Sequence, residues 1–91
     1  MAVFIVSYDL RQPGRNYQPL YDRLNGWGAV SGLESVWFIN ADTTAENLRN
    51  DLLTRLDQND GLFVGKLSGE AAWHNLNNSN CGPTLIKWIN G

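Results

Sequence analysis

Residues 2–8 read AVFIVSY, a nearly continuous apolar run that is rich in β-branched and aromatic residues. Such a run is typical of a strand that is buried on both faces. Asp9 and the turn-forming sequence at 12–14, Gln-Pro-Gly, bound the run on its C-terminal side. We therefore predict a central strand here, and the other elements have to be arranged around it.

A first helix is predicted between Asn16 and Gly28. Its apolar residues recur at spacings of three and four, the periodicity of a helix: Tyr17, Leu20, Tyr21, Leu24 and Trp27. Pro19 fits the first turn, where its missing N–H costs nothing. Gly26 and Gly28 are natural stop signals.

Three further strands are predicted from alternating or apolar runs between turn signals. Residues 29–33 and 34–40 form two of them, and the join near Gly32 and Leu33 resembles a hairpin turn. The second of these strands would place three side chains on one face: Val36, Phe38 and Asn40. Residues 62–67 form the fourth strand.

A second helix precedes the fourth strand. Thr43 and Glu46 have the spacing of a capping box, and four leucines follow at helical spacing before a turn at 58–61: Leu48, Leu52, Leu53 and Leu56. Beyond the fourth strand we predict a short turn of helix at 69–76. A last short helix is expected from Gly82 to Ile89, with Pro83 in its first turn.

The predicted order is β, α, β, β, α, β and a C-terminal tail, which is the ferredoxin-like pattern. We therefore predict an α+β fold in which two helices cover one face of a four-stranded antiparallel sheet. The chain is one domain over residues 1–91, with a core at 2–67 and an extension at 68–91. The other sheet face would be covered by dimerisation or by the tail.

Composition excludes several classes of protein. Seven Lys and Arg against nine Asp and Glu give a net charge of −2, which argues against a broad basic surface for nucleic acid. No apolar run approaches the roughly 18 residues of a membrane span, and no signal peptide is recognisable. One cysteine, Cys81, excludes an internal disulfide. We expect a cytoplasmic protein without a membrane partner.

Asp9 is the first candidate for chemistry, because it ends a strand and opens a loop that carries Arg11 and Arg15. A carboxylate can bind a divalent cation while guanidinium groups hold phosphate, a combination suited to phosphodiester hydrolysis. The alternative is that Asp9 caps the loop and pairs with one of these arginines. A single Asp does not build a metal site, but two copies related by a two-fold axis could.

A resemblance supports the first alternative. The residues Tyr8-Asp9, Arg11, Arg15 and Ser35-Val36-Trp37 resemble those of the small CRISPR-associated ferredoxin-like proteins, the second of the two universal spacer-acquisition subunits. They also resemble the stand-alone VapD-type and SinR-like relatives. The likeness covers roughly residues 2–67. The sparse basic residues and the Asn-rich tail favour the stand-alone relatives.

The resemblance implies a homodimer in which two Asp9 side chains are catalytic and ligate Mg²⁺ or Mn²⁺. Cleavage of RNA or DNA would follow, with Arg11, Arg15 and Ser35 in contact with the nucleic acid. The alternative is a non-catalytic dimeric adaptor or regulatory module of the same fold.

The aromatic residues leave a third function open. Trp37, Phe38 and Trp88 are predicted to lie in the core or at a dimer interface. Tryptophan and tyrosine side chains could instead form a platform that stacks on single-stranded nucleic acid. His74 is interpreted as a solvated or capping residue and Cys81 as a structural thiol.

Overall fold

The fold is α+β, with three helices and a four-stranded antiparallel sheet in the part of the chain that a computed structural model describes, residues 1–77 and 79–90. The elements in chain order are β1 (Ala2–Asp9), α1 (Gln18–Gly26), β2 (Val30–Leu33), β3 (Val36–Ala41), α2 (Ala45–Leu53), β4 (Gly61–Leu67) and α3 (Cys81–Asn90). Across these residues, no helix combines the length and apolar character needed to cross a bilayer.

The strands lie in the order β2-β3-β1-β4, and each neighbouring pair is antiparallel. The predicted central position of β1 is confirmed, because this strand pairs with β3 on one side and with β4 on the other. Val6, in the middle of β1, lies opposite Trp37 and Val64. This arrangement is consistent with the predicted ferredoxin-like pattern.

The larger hydrophobic core lies between one face of the sheet and the helices α1 and α2. Side chains from the two helices and from alternate positions of β1 and β3 meet there. Its buried members are Phe4, Val6, Leu20, Leu24, Ile39, Ala41, Leu48, Leu52 and Leu56. Burial of each large side chain stabilises the fold by about 1.5–3 kcal/mol relative to exposure, so this core dominates the stability.

A second core lies on the opposite face of the sheet, where α3 packs. Val3 and Phe38 from the sheet meet Cys81 and Leu85 of α3, and all four are buried. Trp88 packs against the same cluster. The sequence left dimerisation or the tail as the cover of this face. Around Phe38, the tail covers it.

An ion pair joins α1 to α2. The Asp51 carboxylate accepts two hydrogen bonds from the Arg23 guanidinium, at 2.7 and 3.0 Å, and a third from the Trp27 indole at 2.7 Å. The Arg23 bonds are the main reason that the pKa of Asp51 lies below its usual value, against an opposing effect of burial. Arg23 therefore stabilises the packing of the two helices.

The start and end of α2 differ from the prediction. Thr44, not Thr43, is the N-cap, because its extended backbone lets its hydroxyl accept a hydrogen bond from the Asn47 N–H at 3.1 Å. The helix ends at Leu53, several residues earlier than expected. Its last turn is closed by i to i+3 bonds and by the Thr54 hydroxyl, which donates to the Asp51 carbonyl at 2.6 Å.

The predicted helical turn at 69–76 is wrong. These residues form an irregular segment with bends, in which Gly69 and Asn75 have positive φ values of 87° and 58°. Left-handed residues interrupt a right-handed helix. The segment is instead tied to the sheet edge, because the Asn77 N–H donates to the Gly32 carbonyl at 2.8 Å.

Gly32 provides a test of the second core. A Cβ at this position would lie 2.5 Å from Cε2 of the buried Phe38 ring, so we expect Gly32→Ala to lower the free energy of unfolding by about 1–3 kcal/mol through overpacking. Gly26→Ala is the matched control, because a Cβ there would meet open space and should leave stability within about 1 kcal/mol of wild type. Urea unfolding followed by tryptophan fluorescence measures the stability of both variants. Equal stability of the two would contradict the close packing of Gly32 against Phe38.

Candidate functional site

Asp9 and Arg11 form an exposed ion pair at the end of β1. Oδ2 of Asp9 accepts from Nε of Arg11 at 3.0 Å, and the two side chains are 70% and 56% exposed. Nη1 of Arg11 also donates to the Asn59 carbonyl at 3.3 Å. Exposed pairs of this kind contribute at most about 1 kcal/mol to stability.

Asp60 organises the loops around this pair. Its Oδ1 accepts from the backbone N–H of Arg11 at 2.7 Å and from the Tyr17 hydroxyl at 2.8 Å, and its Oδ2 accepts from the Asp57 N–H at 2.8 Å. Desolvation acts to raise the pKa of Asp60, but these donors outweigh it and the pKa lies below its usual value. One carboxylate thus connects the loop between β1 and α1 to the loop between α2 and β4.

Arg15 lies on the outer side of the same network. Its Nη1 is 3.5 Å from Oδ2 of Asp57, and its guanidinium carbon is 5.8 Å from the centre of the Tyr17 ring. A contact of 3.5 Å is at the limit for a hydrogen bond. The structure therefore brings Arg11 and Arg15 to one end of the sheet, as the sequence suggested, and each arginine faces a carboxylate of its own chain.

Gly61 creates the space that Arg11 occupies. A Cβ on Gly61 would lie 2.9 Å from Nη2 of Arg11 and 3.6 Å from Cβ of Asp9. The missing side chain lets the guanidinium lie across the first residue of β4, which pairs with Asp9. The sequence predicts a turn at Asp60 and Gly61. It does not predict that Asp60 anchors the loop of Arg11 or that Gly61 makes room for the Arg11 guanidinium, because Arg11 lies about fifty residues away in the chain.

Ser35 reaches the site through its main chain. It occupies the turn between β2 and β3 with a φ of 62°, a conformation that is uncommon outside glycine and asparagine. Its carbonyl accepts from the Tyr8 N–H at 3.2 Å. Ser35 therefore lies next to the end of β1, and the observed contact is structural.

The three aromatic residues singled out in the sequence lie in the cores of a single chain. Nε1 of Trp37 donates to the Tyr8 hydroxyl at 3.0 Å, and the Trp37 ring stacks on Tyr21 at 6.5 Å between centres. Phe38 and Trp88 belong to the second core. These side chains contribute to packing on both faces of the sheet.

The charge around Asp9 is slightly negative. The carboxylates of Asp9, Asp57 and Asp60 face the two guanidinium groups of Arg11 and Arg15. Among the described residues, no group of three or more His, Cys, Asp or Glu side chains is placed to hold a metal ion.

A second candidate site is a cavity on the other face of the sheet, with a volume of about 400 Å³. Ten of its twelve lining residues are apolar, and they come from β1, the β2–β3 hairpin, the end of β4, the segment 70–76 and α3: Ile5, Leu33, Val36, Phe38, Leu67, Ala71, Ala72, Trp73, Leu76 and Leu85. Glu70 and His74 complete the wall. Both of these are exposed, which places polar groups at the mouth of an apolar cavity.

Gly82 holds one wall of this cavity in position. A Cβ on Gly82 would lie 2.9 Å from Nε1 of Trp73, so the glycine at the start of α3 allows the indole to pack against the helix. Ile5 of β1 lines the cavity, whereas Asp9, four residues further along β1, does not. The two candidate sites therefore occupy different parts of the molecule.

No family model matches the chain, and no solved structure gives a significant match to it. The two sites described above are therefore the basis on which a function can be proposed.

The contribution of Asp60 to stability should depend on pH. Its pKa in the folded protein lies below the value for an unfolded chain, so its stabilising contribution is present above about pH 4 and is lost as the pH falls through its folded value. We expect the difference in unfolding free energy between wild type and Asp60→Asn to be largest near neutral pH and to shrink in acid.

Urea unfolding at a series of pH values measures this difference. Asp42→Asn is the matched control, because Asp42 is exposed and lies outside the network. A constant difference between Asp60→Asn and wild type from neutral to acid pH would contradict the role of Asp60.

Proposed function

We propose that this chain is a non-catalytic binding module with ferredoxin-like topology, which takes a small apolar molecule into the 400 Å³ cavity. The order of elements up to β4 and the strand order β2-β3-β1-β4 support the topology. The position of α1 and α2 on a single face of the sheet supports it as well. The cavity is the observation that carries the binding function.

The size and lining of the cavity favour a small organic ligand. Ligand pockets usually measure about 300–1,000 Å³ and combine apolar walls with a few polar groups that fix orientation. Phe38 and Trp73 offer aromatic surfaces here, while Glu70 and His74 can hydrogen-bond a polar substituent at the mouth. A flat, mainly aromatic molecule with one polar end matches this arrangement.

The electrostatics of the molecule favour such a ligand over a polyanion. The chain carries a net charge of −2, and Arg11, Arg15 and Arg23 each face a carboxylate of the same chain. Phosphate binding would have to compete with these intramolecular pairs. Apolar burial in the cavity requires no such exchange.

N-phenylnaphthylamine, a neutral apolar dye, provides a direct test of the cavity. We expect its fluorescence to rise on titration with the protein and to saturate at one dye per chain. Ala72→Trp should fill the cavity and weaken binding at least tenfold, because an indole would occupy the space of the dye. Asn47→Trp adds the same group to an exposed position on α2 and should bind the dye like wild type.

The binding function is contradicted if the dye does not saturate, or if it binds equally well to both tryptophan variants. Circular dichroism of the two variants establishes that they fold. A cavity-filling variant that is folded and still binds the dye would place the dye elsewhere on the protein.

The position of Asp9 supports a second candidate function, which is the metal-dependent nuclease that the resemblance implies. The Asp9 side chain is 70% exposed at the end of a central strand, and its pair with Arg11 engages one carboxylate oxygen. A cation site at this position would need ligands from outside the chain, such as a second Asp9 in a homodimer. Arg11 and Arg15 would then leave their carboxylate partners and contact RNA or DNA.

The nuclease is tested with single-stranded and duplex RNA and DNA in Mg²⁺ or Mn²⁺. It predicts cleavage that stops with EDTA and is lost in Asp9→Asn but kept in Asp42→Asn, which changes an exposed carboxylate elsewhere. Cleavage that persists in Asp9→Asn would remove Asp9 from the mechanism. Intact substrates under all conditions would leave the non-catalytic function as the proposal.

A further inference from the structure

The outer edge of the sheet at β4 is open. β4 is the last strand in the order and pairs with β1 alone among the described strands. None of its seven residues is buried. A strand at the edge of a sheet presents unpaired N–H and C=O groups to solvent, and these groups can pair with another strand.

An exposed aromatic side chain lies along this edge. Phe63 is 64% exposed. Its ring leans over Gly65, where a Cβ would lie 3.0 Å from Cε2 of the ring and 3.6 Å from the side chain of Ile5. An exposed phenylalanine beside unpaired main-chain groups marks this edge as a surface for protein association.

The other edge of the sheet is protected. β2 has four residues, and its pairing with β3 shifts register between Ser31 and Leu33. Short and irregular edge strands resist pairing with other chains. By contrast, β4 pairs with β1 in unbroken register from Gly61 to Leu67, so it can accept a partner strand along its whole length.

We propose that β4 pairs antiparallel with β4 of a second copy across a two-fold axis, with Val64 opposite the partner's Val64. This register is centred on the middle of the strand and uses all seven residues. It places Phe63 opposite the partner's Gly65, and the reverse pair forms by symmetry. Each ring leans over the glycine of its own strand, and the pairing brings the two rings together on one face of the joined sheet, which is a favourable cross-strand arrangement.

Charge at the two ends of β4 is complementary in this arrangement. Asp9, Asp57 and Asp60 outnumber Arg11 and Arg15 at the start of the strand and leave it slightly acidic. Lys66 is the charged residue near its other end. Antiparallel pairing brings Lys66 of one strand towards the acidic start of the other. The second copy therefore fits the edge by main-chain pairing, by shape and by charge. The pairing uses the main chain of β4 and does not require a ligand in the cavity, which Leu67 at the end of β4 also lines.

Sedimentation and light scattering of the full chain test the interface. We expect wild type to form a dimer and Phe63→Lys to be monomeric, because it would place a charge at the centre of the interface. Leu53→Lys, which changes a 45% exposed leucine on α2, should remain dimeric. The proposal is wrong if wild type is a monomer at high concentration or if folded Phe63→Lys remains a dimer.

Disulfide trapping tests the register and does not depend on the Phe63 variant. Opposed residues of antiparallel strands have Cα atoms about 4.5–5.5 Å apart, within the range of a disulfide. We expect Val64→Cys to form a covalent dimer on mild oxidation, and Leu53→Cys to remain uncrosslinked. Cys81 is buried and does not compete. Failure of Val64→Cys to crosslink above the level of the control would overturn the proposed pairing.

Discussion

The rest of the molecule depends on one constraint, which is that β1 buries side chains on both of its faces. Phe4 and Val6 point to the core under α1 and α2, whereas Val3 points to the core under α3. Hydrogen bonds to β3 and β4 satisfy the backbone of the strand on both sides. A strand in this position requires two layers, and α3 supplies the second layer from within the same chain.

The second layer determines where the cavity lies. Residues 68–77 follow β4 without regular structure, and the Asn77 N–H ties them to the Gly32 carbonyl. A cavity lies between this segment and the sheet. The cavity thus results from the way in which the extension covers the sheet, while β4 pairs with β1 alone among the described strands.

The polar end of β1 is held by hydrogen bonds to a single carboxylate. Asp60 fixes the backbone of Arg11 and the hydroxyl of Tyr17, and so determines the path of the loop that carries both arginines. That rigidity orients Arg11 towards Asp9 and Arg15 towards Asp57. The same loop would serve a nuclease only if these pairs opened.

The local features of the fold were predictable, because they depend on short-range periodicity. The apolar run at 2–8, the spacing around Leu20 and Leu24, and Pro83 near the start of α3 each identified an element. Errors of a few residues arose where a side-chain contact decided a boundary, as at Thr44 and Thr54. The helix expected at 69–76 was wrong because two left-handed residues and a contact with β2 outweighed its weak apolar pattern.

The sequence by itself determined the order of the strands and helices, the central place of β1 and the nearness of Asp9, Arg11 and Arg15, since these follow from patterns within a few residues. Only the tertiary structure decided that α3 covers the second face, that Asp60 anchors the loops, that Gly61 makes room for Arg11 and that a cavity lies beneath the extension. Each of these features joins residues far apart in the chain, and their meeting depends on how the layers pack.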